Sequence, residues 1–350
     1  MKIDDAILDF LNYCVFEKGL SIKTKESYNN DLNEYSKYLK SNNIVYINDI
    51  KKNNILDFLK ERMNDQNSTI AHNLTVIKNF HKYLVKESLV KNDESLFIDR
   101  PKLKKSLPKT LSMEDIDKLL DIDIKTVFDQ RNKAMLELMY GTGLRVSELI
   151  SLTINDIDLE NRIIKVNKTI YAKDKEENGR WYLGTAKTIG SHREIYICDT
   201  LHSFLLKYKE LQNNYKKEFG KNYKYYILEE VKNKYGKLVE YKIIKSNSKR
   251  NRVEMVFTRK DGTYSGTDII RYPFRIIHHE LGIQCRFYDL RGSFATISLR
   301  NGCEIKDISE ILGHKRIETT QKYYISSTSK DKKEVGEIFE MNIKLENKMI

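Results

Sequence analysis

The chain is poor in residues that staple or stiffen a fold. Of 350 residues, four are Cys, three Pro and one Trp. Cys14, Cys198, Cys285 and Cys303 lie far apart with no C-x-x-C pair, so neither a zinc site nor a disulfide framework is expected. Small buried hydrophobes in a reducing cytoplasm are the expectation instead. No run of about eighteen apolar residues occurs, so nothing in the sequence reads as a membrane span. The start, MKIDDAILDFLNYC, carries acids early and reads as an amphipathic helix, not a signal peptide. Internal repeats, coiled-coil heptads and a cluster of acids suited to magnesium are likewise lacking, and no metal or cofactor is expected.

Positive charge is what the chain has in excess. The formal net charge is +12 and the isoelectric point near 9.2. Such an excess suits a polyanion, because each phosphate contact releases counterions. An AT-rich genome, which favours Lys, Asn and Ile codons, would leave part of the same mark. Length fits two domains better than one.

Residues 1–98 read as a helical bundle with a basic exterior. Ile7, Leu8, Phe10 and Leu11 begin one apolar stripe; Tyr28, Leu32, Tyr35 and Leu39 continue over 24–39. Ile55, Phe58 and Leu59 mark a third helix over 54–63, and Leu74, Ile77, Phe80, Tyr83 and Leu84 a fourth over 68–86. Residues 99–110 hold Pro101, Pro108 and four lysines without apolar period, which predicts a basic linker. A mixed domain follows over 111–330. Helices are expected at 113–121, where Ser112 can cap, and at 129–140, 145–151 and 200–219. Short strands are expected at 162–166, 180–183 and 193–197, and a helical end from 266. Residues 220–252 read as a hairpin-like insertion, either a solvated surface hairpin or a DNA-binding arm. In the tail, 331–350, Val335, Ile338, Phe339, Ile343 and Leu345 form an amphipathic pattern. The fold class is therefore mainly α with a small antiparallel β-sheet (α+β).

The chemistry-bearing residues gather in the mixed domain. In GTGLRVSEL, 141–149, Gly141 and Gly143 permit a tight turn, and Arg145 opens a helix with Glu148 one turn on. An Arg at a helix start stands near backbone N–H donors, its fork matches two phosphate oxygens, and Glu148 can fix its rotamer. A surface helix with an ordinary ion pair would read the same way. Farther on, Tyr288-Asp-Leu-Arg291 precedes GSFAT, and ILGHKRIETTQKYY runs from Ile311 to Tyr324.

Together, in this order, these segments resemble the tyrosine recombinase (phage integrase) family. That family has a G-x-G-x-R-x-x-E-L segment, matched by Arg145 and Glu148, and a His-x-x-Arg segment, matched at Arg291. It then has Leu-Gly-His, matched at His314, with the nucleophilic Tyr nine residues beyond. Counting from His314 gives Tyr323, and makes Tyr324 the bystander. A catalytic Lys between two strands is also implied. The stretch Lys187-Thr-Ile-Gly-Ser-His-Arg193 resembles the K-T-x-x-S-x-R of conjugative-transposon integrases and singles out Lys187, with Lys168, Lys173 and Lys175 as nearby competitors. The resemblance covers the whole catalytic region and, more loosely, the bundle, which would be a SAM-like core-binding domain. With the catalytic domain it would form a C-shaped clamp on DNA.

One position departs from the family pattern. Tyr288 stands where the His of His-x-x-Arg belongs, and His278 and His279 lie too far upstream to replace it. A phenol can donate a hydrogen bond to phosphate, but with a pKa of roughly 10 it is no proton shuttle near neutrality. Tyr288 is therefore expected to contact phosphate or position the nucleophile. A non-catalytic DNA-binding relative is the alternative this departure leaves open.

The implied reaction is attack by a phenol on a phosphodiester. Arg145, Arg291 and His314 would donate to the non-bridging oxygens, and Lys187 would protonate the leaving 5′ oxygen. A covalent 3′-phosphotyrosine keeps the energy of the broken bond, so no cofactor is needed for rejoining. By the same resemblance, four protomers would act on two double-stranded DNA sites through a Holliday junction. The tail would dock on a neighbour or its own domain, and accessory DNA-bending or directionality factors could join. A type IB topoisomerase shares the chemistry, but the motif order behind a small helical bundle favours a recombinase. No clear extra arm-binding domain is legible ahead of the bundle, which would disfavour a lambda-like integrase, and the AT-rich bias with the Lys187 stretch favours a mobile element as the expectation.

Overall fold

The computed structural model describes residues 1–101, 110–121, 127–173, 180–185, 192–233, 236–248 and 250–324, with the backbone alone at 22, 127–129, 185 and 322–324. Lys175, Lys187, most of the expected linker and the whole expected tail lie outside the described residues. Two compact units divide the chain, Met1–Ser106 and Leu107–Ile350.

Four helices build the first unit: α1 (Ile3–Phe16), α2 (Ile22–Ser41), α3 (Lys52–Glu61) and α4 (Asn67–Lys86). Helix α2 begins where the Ser21 hydroxyl accepts from the Thr24 backbone N–H at 3.2 Å, satisfying an otherwise orphaned donor. Its stripe of Leu32, Tyr35 and Leu39 is fully buried, as are Leu74, Phe80 and Leu84 of α4. The Phe10 and Phe80 rings meet edge to face at 5.6 Å. Burial of each such side chain contributes roughly 2 kcal/mol relative to exposure.

Among the buried polar residues of this unit (Ser36, Asn73, His81 and Ser95), one is titratable. His81 is 2% exposed, with its Nε2 3.4 Å from the Tyr35 hydroxyl. Burial pushes its pKa down to about 4. Between that value and the unfolded one near 6.5, the unfolded chain binds a proton that the fold excludes. Stability is therefore complete above about pH 6.5 and falls as pH drops towards 4, by roughly 3 kcal/mol in the limit. Amide exchange in α4, measured at pH 7 and pH 5, should show this loss in the wild type and a smaller one in His81→Gln.

The second unit opens with α5 (Met113–Leu120), capped by Ser112, whose hydroxyl accepts from the Asp115 N–H at 3.0 Å. Helix α6 (Val127–Thr142) follows and buries Met135, Leu138 and Met139. Next comes α7 (Val146–Leu149), a single turn where the sequence predicts a helix over 145–151. The strands are β1 (Ile157–Asp158), β2 (Ile163–Val166), β3 (Lys168–Ala172), β4 (Trp181–Thr185) and β5 (Arg193–Tyr196). After α8 (Asp199–Phe219) come β6 (Tyr226–Lys232), β7 (Leu238–Lys245) and β8 (Arg252–Val253). Helices α9 (Arg271–Glu280), α10 (Phe287–Arg300), α11 (Ile305–Leu312) and α12 (Glu318–Tyr324) complete the described chain. No helix among the described residues is long and apolar enough to cross a membrane.

The strands form two antiparallel sheets, one of three strands in the order β1-β2-β5 and one of five in the order β3-β4-β7-β6-β8. In the first, Val166 pairs with Arg193, which fixes where β5 begins. In the second, β6 and β7 pair antiparallel, the hairpin expected within 220–252, and Leu183 of β4 faces Tyr241 of β7, so this hairpin is built into the sheet and is not a free-standing surface one. Its Ile243 is 3% exposed and joins the core of the unit. Strand β3 is not predicted from the sequence because Lys168 and Thr169 dilute its few apolar residues.

Candidate active site

The described candidates lie in the second unit, and Arg145, Arg291 and His314 gather at the end of α11. That helix stops at Gly313, which adopts the left-handed conformation (φ 63°, ψ 45°) usual for a glycine terminator. A Cβ there would stand 3.0 Å from Arg193 Nη1, so glycine also makes room for a guanidinium. Helix termini leave carbonyls without intrahelical partners, and here three consecutive ones are taken by three different arginines. Ile311 O accepts from Arg193 Nε at 2.5 Å, Leu312 O from Arg291 Nη2 at 2.5 Å, and Gly313 O from Arg145 Nη2 at 3.2 Å. The partial negative charge of a helix C-terminus suits this convergence of cations.

Gly143 performs a matching task on the other side. It too is left-handed (φ 62°), and a Cβ would fall 2.6 Å from Leu312 Cδ2 and 2.8 Å from Phe294 Cδ1. Its carbonyl accepts from Arg291 Nη1 at 2.5 Å. Two residues on, Arg145 precedes α7, and the Glu148 carboxylate accepts both from its backbone N–H (2.9 Å) and from its Nη1 (2.8 Å). Because α7 is one turn long, anion-binding capacity at this place belongs to guanidinium groups and not to a helix end.

Glu148 has a second partner that the motif reading leaves unassigned. Arg193 donates Nη1 to Oε1 at 3.2 Å and Nη2 to Oε2 at 2.7 Å. Burial alone would raise the Glu148 pKa, but the bonds and charge of Arg193, and then of Arg145, outweigh it and hold the carboxyl below its ordinary range. Three guanidinium groups and one carboxylate leave the cluster with an excess of two positive charges.

Arg291 is wholly shielded from solvent, and its Nε–H has no partner among the described residues. Burial first, and then the neighbouring Arg145, push its pKa down to about 10, so it stays cationic at neutral pH. Its Nη2 also lies 3.0 Å from His314 Nε2. A guanidinium only donates, so Nε2 must accept there, and the imidazole proton sits on Nδ1, which donates to Thr320 Oγ1 at 2.8 Å. Burial, followed by the charges of Arg291, Arg145 and Arg193, lowers the His314 pKa to about 4. Without an anion present, the ring is neutral.

Thr320 is fully buried and lies on α12, so His314 is bonded directly to the helix that carries position 323 one turn farther on. Tyr288 stands one turn before Arg291 on α10, is 51% exposed, and makes no side-chain hydrogen bond among the described residues. His278 does not approach this cluster; its Nε2 accompanies the Cys285 carbonyl at 2.7 Å. Among the competing lysines, Lys168 is paired with Asp156, and Lys173 with Glu240 while lying 4.3 Å above the Tyr182 ring.

The structure thus brings Arg145, Glu148, Arg291 and His314 together and sets Tyr288 at the edge. Arg193 and Thr320 are the functional-site residues that sequence reasoning missed. Both lay within quoted motifs, Arg193 as the last residue of K-T-x-x-S-x-R and Thr320 in the Thr-Thr pair before the tyrosines.

Residues 109–198 and 206–330 match the phage integrase family, a span that contains the whole arginine cluster, His314 and Tyr323. The chain belongs to the phage integrase family. Residues 7–88 match the N-terminal SAM-like domain of phage integrases, which accounts for the helical first unit. Among relatives of this phage integrase family member is the tyrosine recombinase XerD of Oceanobacillus iheyensis. It is 32% identical over 327 residues, covering 92% of this chain and 93% of the relative. Tyrosine recombinase XerD of Listeria innocua is 29% identical over 329 residues, covering 92% and 94%. Among solved structures, the Tn1549 transposon integrase in complex with a circular intermediate DNA superposes with a TM-score of 0.70 at 16% identity, covering 95% of this chain and 99% of that one. A lambda integrase tetramer bound to a Holliday junction gives 0.62 at 14% identity, covering 92% and 77%. At those identities the likeness speaks for the fold.

Proposed function

We propose that this integrase-family chain is a site-specific DNA recombinase that cuts and rejoins strands through a covalent 3′-phosphotyrosine at Tyr323. The observation that carries this reading is the cluster of Arg145, Arg291 and His314 on the end of α11, bonded through Thr320 to the helix of Tyr323. A phosphodiester entering beside it would meet preorganised positive charge, the arrangement that stabilises a pentacoordinate phosphorus. Arg145, whose side chain is 37% exposed, and Tyr288 are the groups open to such a ligand. Arg291, behind them, holds His314 and supplies charge at short range. The incoming anion opposes the three guanidinium charges and raises the proton affinity of His314, so that Nε2 gives up the bond from Arg291 Nη2, which keeps Leu312 O, and becomes a donor to phosphate.

In the cleavage step, the Tyr323 phenol, favoured as its phenolate by the nearby guanidinium charge, loses its proton to solvent and its oxygen bonds to phosphorus as the bond from phosphorus to the 5′ oxygen breaks. Lys187 delivers the proton that this oxygen needs to leave as a hydroxyl. The described competitors Lys168 and Lys173 are engaged by carboxylates, which supports assigning Lys187. A 5′ hydroxyl from a second duplex reverses the step, with four protomers on two sites as the working assembly in the cytoplasm. The Lys187–Arg193 stretch favours integration and excision of a mobile element. The linker, 99–110, joins the two DNA-binding units.

Two measurements check this. Wild-type protein with two labelled duplexes from the sequence flanking the gene should yield exchanged strands in protein excess. Relaxation of plasmids lacking that sequence, without exchange, would favour a topoisomerase. Lys187→Ala should cut ordinary DNA on the order of 10²–10⁴-fold more slowly. A bridging 5′-phosphorothiolate, whose sulfur leaves without a proton, should restore most of that loss; equal defects on both substrates would assign the proton to another group.

A further inference from the structure

We propose that Arg193 is a positioning residue for Arg145: by occupying the far side of Glu148, it keeps the Arg145 guanidinium oriented and un-neutralised towards the scissile phosphate. This rests on the recombinase reading above and concerns a residue that reading does not use.

The geometry is specific. Each Glu148 oxygen is shared between the two arginines. Oε1 accepts from Arg145 Nη1 at 2.8 Å and Arg193 Nη1 at 3.2 Å. Oε2 accepts from the Arg145 backbone N–H at 2.9 Å and Arg193 Nη2 at 2.7 Å. The Arg193 side chain is 8% exposed and Glu148 5%, whereas Arg145 is 37% exposed. Arg193 therefore lies behind the carboxylate and is not placed to meet a phosphate itself.

Charge makes this arrangement consequential. Glu148 and Arg145 alone would form a closed pair of zero net charge. In a poorly solvated site, a carboxylate with a single partner would also draw that partner in with both oxygens, taking Arg145 Nη2 from Gly313 O. With Arg193 present, the trio carries one surplus positive charge, and its one solvent-facing member is Arg145. The Arg193 Nε bond to Ile311 O at 2.5 Å locks the assembly to the same helix end that presents His314. Glycine at 313 supplies the space, since a Cβ there would sit 3.3 Å from Arg193 Cζ.

The test compares initial cleavage rates on a nicked suicide duplex of gene-flanking sequence with those on the same duplex carrying a neutral methylphosphonate at the scissile position. Removing a non-bridging oxygen charge removes most of the need for a well-placed cation, so a defect in cation placement shrinks on that substrate. On the ordinary phosphodiester, Arg193→Met should slow cleavage about 100-fold. On the methylphosphonate it should do so less than about tenfold. Arg193→Met/Glu148→Gln, which restores the surplus charge beside Arg145, should regain at least about tenfold over Arg193→Met. Equal losses on both substrates, or a double variant no faster than the single one, would overturn the proposal and leave Arg193 a plain structural ion pair. Should Arg193→Met fail to fold, Arg193→Lys carries the same comparison: a larger loss on phosphodiester than on methylphosphonate supports the role, and equal losses overturn it. Wild type that forms no adduct on either DNA would contradict the recombinase reading itself, and the inference with it.

Discussion

Tyr323→Phe abolishes covalent attachment to a nicked DNA substrate, while Tyr324→Phe leaves it within about twofold of wild type, the range of a substitution that removes no reacting group. The expected loss for Tyr323→Phe is on the order of 10⁴-fold or more, as when a nucleophile is deleted from an otherwise intact site. The substitution removes one oxygen and keeps the ring, so folding and the salt-sensitive, non-covalent binding of DNA should persist. The reason to expect one tyrosine and not its neighbour is the motif count, since Tyr323 lies nine residues beyond His314, the spacing of the family's nucleophile. Thr320, bonded to His314, ties α12 to the cluster but stands three residues from one tyrosine and four from the other, so it favours neither. Positions 323 and 324 are turned by about 100° from each other, so they present their phenols in different directions. Adduct formation by both single variants, with loss only in the double variant, would mean that α12 can present either phenol.

Arg291→Met is the second large effect, and it should strike both catalysis and stability. Cleavage is expected to fall on the order of 10²–10³-fold, the usual result of deleting one preorganised electrostatic group. The same change strips donors from two carbonyls, those of Gly143 and Leu312, and from His314 Nε2. Buried acceptors without partners cost about 1–3 kcal/mol each, partly offset because a desolvated cation has also been removed. A net destabilisation of about 2–4 kcal/mol, read by urea unfolding of the second unit, is the expectation. Arg291→Lys keeps the charge but cannot span both carbonyls, and should fall between. Wild-type stability in Arg291→Met would contradict the view that Arg291 joins the turn at Gly143 to the end of α11.

What could be read from the chain before its fold was local. Leu32, Tyr35 and Leu39 recur at helical spacing and are buried because periodicity and burial share one cause, the face a helix turns to its core. The order of Arg145, Arg291, His314 and Tyr323 was equally plain, because family motifs are short and contiguous. Pairings between distant segments were hidden. Strand β7 joins β4 across more than fifty residues, and nothing in Leu238–Lys245 announces that partner. Arg193 meets Glu148 across 45 residues, and a single Arg at a strand start carries no mark of what it will face. Nor does sequence separate a solvent-facing cation from a sealed one. Arg145 and Arg291 read alike as phosphate ligands, but the fold leaves the first partly exposed and buries the second completely.

The most direct measurement is to map the tyrosine that becomes linked to DNA. Wild-type protein trapped on the suicide duplex, digested with nuclease and trypsin, should release a peptide beginning after Lys322, and fragmentation should place a nucleotide on one of its two adjacent tyrosines. The account predicts a 3′-linked phosphate on Tyr323 and none on Tyr324. A modified Tyr324, a 5′-linked nucleotide, or a link to any other residue would contradict it.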